Sequence, residues 1–96
     1  MPAPRVAAAP PANAPTMSLA EYNRLTKGMT VPQVRAIVGS QGKVEAQSDF
    51  DGYRNLMLSW DGAKDQYGIA GSGLVSFSAD PGQALTLDMK SEFGLR

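Results

Sequence analysis

The stretch Lys27-Gly28-Met29-Thr30-Val31-Pro32-Gln33-Val34-Arg35-Ala36-Ile37-Val38-Gly39 carries both the start and the stop signals of an α-helix. Thr30 is an N-cap. Gln33, three residues on, can reach back to close a capping box, and Met29 can staple onto Val34 across the first turn. Val34, Ile37 and Val38 form one apolar stripe, and Gly39 supplies the left-handed exit. A second set of the same signals lies just upstream. Ser18-Leu19-Ala20-Glu21 is a capping box, Met17 can staple onto Tyr22, and Leu19, Tyr22 and Leu25 share a face. This predicts a helix over about 19–27, with Lys27 placed to favour the negative end of its dipole and Gly28 ending it. Only Gly28, Met29 and Thr30 then separate the two helices, so they must turn sharply and present their apolar faces to one surface.

The surface they cover is a sheet encoded by the second half of the chain. From Gly42 the period of apolar residues changes to two, the spacing of strands. Val44 and Ala46 alternate with Lys43, Glu45 and Gln47, which predicts a half-buried strand. The segment 48–52 reads as turn chemistry, with Asp51-Gly52 the strongest hairpin signal in the chain. The return strand, 53–60, places Leu56, Leu58 and Trp60 on its core face. A Gly-rich linker is expected over 61–72, then a strand over 73–79 with Val75 and Phe77 inward. Asp80-Pro81-Gly82-Gln83 is a tight turn. The last strand, about 84–93, is expected to bury Leu85, Leu87 and Met89, and it needs a bulge or an end near Ser91 to accommodate Phe93. Helix, helix, then four strands implies an α+β domain, with two short N-terminal helices packed on one face of a four-stranded antiparallel β-meander. The opposite face should be wet, occupied by Asn55, Met57, Ser59, Ser76, Ser78, Thr86, Asp88 and Lys90, with Tyr53 at its margin.

Composition bounds the rest. With 96 residues there is room for one modest core. Residues 1–17 are mostly Ala and Pro and are expected to form a disordered tether, leaving 18–96 as a single domain. Such a spacer fits an envelope protein whose lipid anchor or signal segment lies upstream. A plain floppy terminus is the alternative. The 9 basic and 9 acidic residues are well mixed, so no electrostatic footprint points to nucleic acid. The chain has no Cys and no His, which removes thiolate nucleophiles, the usual general base and the commonest metal ligands. No apolar run reaches the roughly 20 residues of a membrane span. Membrane association is therefore expected only through an anchor or signal segment outside this sequence.

The residues Gly28-Met29-Thr30, Gln33-Val34 and Val38-Gly39, followed by a strand, a hairpin and Leu58-Ser59-Trp60-Asp61-Gly62, resemble the pattern of the β-lactamase inhibitory protein-like superfamily. That superfamily includes small outer-membrane lipoproteins of the SmpA/OmlA type. The terminal Glu92-Phe93-Gly94-Leu95 is also similar to how such domains end. The resemblance implies a two-helix, four-strand domain, secreted or envelope-anchored in the periplasm or at the inner leaflet of the outer membrane, acting through protein contacts. The inhibitor proper is built from two such domains in tandem.

Binding is therefore the expected activity, and no catalytic, cofactor-binding or metal-binding residues are assigned. Asp49 and Asp51 with Gly52 lack the further oxygen ligands of a calcium loop. Residues 68–73 lack the lysine and the following helix of a phosphate loop. The partner-binding candidates are Asp49, Phe50, Asp51 and Tyr53 at the hairpin, an acidic and aromatic tip, with Tyr67 from the Gly-rich linker beside the same sheet. For Phe50 the alternative is folding back onto the core edge. For the linker it is ordinary loop variation with Ile69 tucked inward. The partner expected is an envelope protein, the chain serving as an accessory module of an envelope assembly. The alternative is a secreted hydrolase such as a β-lactamase, with the chain as its inhibitor.

Overall fold

The computed structural model describes residues 16–96. The tether expected over 1–17 lies outside the described residues, apart from Thr16 and Met17. Two helices, α1 (Leu19–Arg24) and α2 (Val31–Val38), precede four strands, β1 (Lys43–Phe50), β2 (Tyr53–Lys64), β3 (Ala70–Ala79) and β4 (Thr86–Phe93). The strands form one antiparallel sheet in the order β1-β2-β3-β4. The domain is α+β.

Both capping boxes are closed. The Glu21 amide donates to Ser18 Oγ and the Ser18 amide to Glu21 Oε1; Thr30 and Gln33 exchange the same pair of bonds. Gly39 adopts the left-handed conformation, with φ of 91°, and its amide closes on Arg35. The first helix is shorter than its pattern suggests. It stops at Arg24 because Leu25 turns to extended backbone and becomes fully buried instead of continuing the turn. Gly28 does not end that helix. It belongs to a separate turn whose amide donates to the Leu87 carbonyl, while the Leu87 amide donates to Met29.

The core contains Met17, Leu25, Val34 and Val38 together with Leu58, Trp60, Val75, Phe77, Leu87 and Leu95. The sheet residues alternate along β2 and β3, so one face of the sheet supplies them. Trp60 is a core anchor, its Nε1 donating to the Ser40 carbonyl at 3.4 Å. Met17, the last residue of the expected tether, is fully buried, and its amide donates to Asp61.

Three strand expectations are corrected. β1 is exposed along all eight residues, Val44 and Ala46 included, because it is the sheet edge and extends beyond the buried cluster; a register shift between Val44 and Ala46 also breaks its alternation. The linker over 61–72 is a hairpin, since β2 runs on to Lys64 and β3 starts at Ala70. The irregularity of β4 lies at Asp88, not near Ser91: Phe77 pairs with Leu87 but Ser76 with Met89. That extra residue reverses the faces. Met89, expected inside, is 60% exposed. Lys90, expected on the wet face, turns to the core side, where its Nζ donates to the Tyr22 carbonyl at 2.8 Å and lies 4.3 Å from the Tyr22 ring centre.

The glycines of the unrecognised hairpin make room. A Cβ on Gly73 would stand 2.6 Å from Met17 Sδ, one on Gly62 2.8 Å from Leu95 Cδ2, and one on Gly71 2.3 Å from the Gly94 carbonyl carbon. Gly71→Ala is therefore expected to lower stability by about 3 kcal/mol, because backbone must move. Gly68→Ala, at φ of +79° but in open space, should cost only about 1 kcal/mol. Urea unfolding of the two variants checks this, and equal losses would contradict the close approach of β3 to the chain end.

Candidate functional site

The hairpin signal at Asp51-Gly52 builds the most prominent feature of the sheet. Asp51 and Gly52 both have positive φ, 54° and 85°, the two-residue geometry that matches strand twist. Phe50 and Tyr53 face each other across the turn as a directly opposed pair. The Gly52 amide donates to Asp49 Oδ1 at 3.2 Å, so Asp49 fastens the turn. The turn between β3 and β4 supports it. Gln83 donates to the Asp80 carbonyl at 3.0 Å, Pro81 and Gly82 occupy the central positions, and Gly82 has φ of 80°. Pro81 lies against Gly52, where an added Cβ would meet the proline ring at 3.1 Å, and the Arg54 guanidinium donates to the Gln83 carbonyl. Two turns thus brace one another at one end of the sheet.

Phe50 does not fold back onto the core. It is 76% exposed and Tyr53 is 54% exposed. Both lie on the face opposite the core. The same face continues as the cross-strand rows Ser48, Asn55, Ser78, Thr86 and Ala46, Met57, Ser76, Met89. Phe93 stands at the far corner, 82% exposed. Met89 and Phe93 were missed by sequence reasoning. Their signal is the parity conflict in β4, which announces a bulge without fixing its position.

Tyr67 is not brought to this end. It is 77% exposed on the β2–β3 turn, and β2 separates it from Tyr53 by about 36 Å at the rise of a strand. Ile69 beside it is exposed as well. Asp65 organises that turn, its Oδ1 accepting from the amides of Tyr67 at 2.8 Å and Ile69 at 2.9 Å. The start of α1 and Arg96 gather there too: Leu19 donates to the Arg96 carbonyl, and the Arg96 guanidinium donates to Ala63 and pairs with Asp65 at 3.9 Å. Among the described residues no group of three or more His, Cys, Asp or Glu is placed to hold a metal ion.

The sequence pattern of the beta-lactamase inhibitor (BLIP) family matches residues 8–60 and, in a second alignment, residues 19–95. The chain belongs to the beta-lactamase inhibitor family. The match spans nearly the whole chain and includes both helices and all four strands of this family member. It lends no support to the narrower likeness to SmpA/OmlA lipoproteins. Comparison with curated proteins and with solved structures finds no match.

The turn at Asp65 yields a pH test. Donation from the Ile69 amide foremost, helped by the Tyr67 amide and Arg96 and opposed by partial desolvation, holds the Asp65 carboxyl below its ordinary value. A depressed folded pKa means that the stabilisation is complete above the unfolded carboxylate pKa of about 4 and is lost as pH falls through the lower folded value. In a carboxyl NMR titration Asp65 should titrate below the ordinary range, with the Tyr67 and Ile69 amides following the same midpoint. A midpoint at the ordinary value would contradict the turn geometry.

Proposed function

We propose that this member of the beta-lactamase inhibitor family is a non-enzymatic protein-binding module whose contact surface is the sheet end carrying Asp49, Phe50, Asp51 and Tyr53. The observation that carries the reading is the exposure of two opposed aromatic rings on a fastened two-residue turn. Exposed aromatics are expensive to leave in water and enter partner pockets with little loss of conformational freedom. We infer that both helices cover the core-side face, which leaves the Phe50–Tyr53 face free along its length. The smallest extent of the molecule, 19 Å, accommodates one helix layer and one sheet. Asp51, in the turn between Phe50 and Tyr53, favours a basic rim on the partner.

Two partners fit. Family membership supports a secreted hydrolase such as a β-lactamase, with the acidic hairpin entering its substrate cleft. The Ala/Pro-rich segment ahead of the domain supports an envelope protein, with the chain held in the periplasm or at the outer membrane by an upstream anchor, as in SmpA/OmlA-type lipoproteins. In this arrangement Met17, bonded to Asp61, lies toward the opposite end of β2 from the proposed contact surface.

The first reading is tested by titrating the protein against a class A β-lactamase and following hydrolysis of a β-lactam. Inhibition at micromolar concentration supports it, and none rejects it for that enzyme class. For either partner, the Phe50→Ala, Tyr53→Ala double variant should bind at least about tenfold more weakly while unfolding at the temperature of the parent. Equal binding would remove the contact surface from the proposal.

A further inference from the structure

A second surface lies on the core side of the sheet, the side opposite the Phe50 and Tyr53 rings. A groove of about 490 Å³ is lined by Arg35 of α2, by Val44 and Asp49 of β1, by Arg54 and Leu56 of β2 and by Leu85. It exists because the buried cluster stops short of β1: Leu58, Trp60, Val75 and Phe77 are covered, whereas every residue of β1 is exposed. Val44, Leu56 and Leu85 are its aliphatic part, beside polar Gln47, Ser48 and Asn55, and its two arginines face one carboxylate, Asp49. Arg35 Nε donates to the Gln41 carbonyl at 3.1 Å and Arg54 donates to the Gln83 carbonyl; Asp49 stands opposite Arg54 in the ladder, but among the described residues neither guanidinium forms an ion pair. A guanidinium carries five N–H donors, so most remain on each. Asp49 already has an oxygen engaged by Gly52, and Glu45 is held by Ser59, which occupies the other face of the sheet.

Beside the groove runs a free strand edge. Among the described residues no strand pairs with the outer side of β1. Lys43, Glu45 and the register shift blunt its first half, but from Ala46 to Phe50 the pairing with β2 is regular. Its outward amides and carbonyls are matched in register by another extended backbone, not by a small anion. A strand added there would send alternate side chains to the groove side.

We propose that this edge and groove take an extended, acidic peptide segment of a partner protein, added as one more strand beside Ala46–Phe50 with a Glu or Asp side chain reaching Arg35 and Arg54. The peptide backbone supplies affinity through main-chain bonds, and the two arginines select the carboxylate. The added strand runs beside Asp49 and Phe50 of the proposed contact end, but the groove relies on Arg35 and Arg54 and the hairpin tip on its two rings, so the two surfaces fail separately.

The test is an amide NMR titration of the full chain with a blocked heptapeptide of alternating Thr and Val bearing Glu at its centre, against the same peptide bearing Gln or Lys. The Glu peptide should shift the amides of β1 and of Arg35, bind about tenfold more tightly than the Lys peptide, and weaken with added salt. Arg35→Gln and Arg54→Gln should each bring the Glu peptide down to the affinity of the Gln peptide. If Arg54→Gln fails to fold, the variant Arg35→Gln, at a half-buried position of α2, still decides. Absence of shifts in β1 overturns the proposal, as does equal binding of the three peptides. Concentration-dependent broadening of the β1 amides without peptide overturns it as well, since the edge would then belong to a second copy of the chain.

Discussion

Burial of Phe77, Val75 and Leu58 against Val34, Val38, Leu25 and Met17 is the interaction on which the rest of the structure depends. It is the hydrophobic core of the domain, and it draws on one face of one sheet. In a domain this small a single large side chain represents a considerable share of net stability. The demand for strict alternation along β2 and β3 follows from it, as does the placement of Leu95 and Met17 over glycines. Where alternation would fail in β4, the extra residue at Asp88 resets it. The reset sends Met89 outward and brings Lys90 to the Tyr22 carbonyl, so an edge strand also fastens the first helix.

The sequence made the helices legible because their ends are specified by short-range chemistry. Thr30 with Gln33 and Ser18 with Glu21 are bonds between residues three apart, and their geometry needs nothing from the rest of the chain. The Asp51-Gly52 and Pro81-Gly82 turns were legible for the same reason. The misreadings share the opposite cause. Leu25 leaves the helix pattern because a buried site elsewhere in the fold takes it. The glycines of 62–73 look like a flexible linker locally, and only contact with Met17, Leu95 and Gly94 explains them as strand positions. The exposure of β1 depends on how far the buried cluster extends, which no local pattern encodes. The position of the β4 bulge depends on its register with β3. For the candidate contact residues the turn was local and therefore readable, whereas the distance of Tyr67 from it required knowing that β2 runs to Lys64.

The architecture separates two ends of the sheet. At one, Met17, Leu19, Arg96 and the Asp65 turn are tied together. At the other, Phe50 and Tyr53 stand on paired turns whose central positions are Asp51-Gly52 and Pro81-Gly82. Fixing the backbone beneath an exposed aromatic pair lowers the entropy lost on binding, which is the physical basis for proposing the contact there. The family to which the chain belongs is described by inhibition, a function that needs surface and not catalytic groups.

One face of the sheet carries the core, and we propose that the other is free. Phe77 and Met89 test it most directly, because they lie on adjacent strands but on opposite faces. Urea unfolding should show Phe77→Ala losing about 3 kcal/mol or more and Met89→Ala changing by no more than about 0.5 kcal/mol. Comparable losses in the two variants would mean that both faces are buried, and would contradict the account.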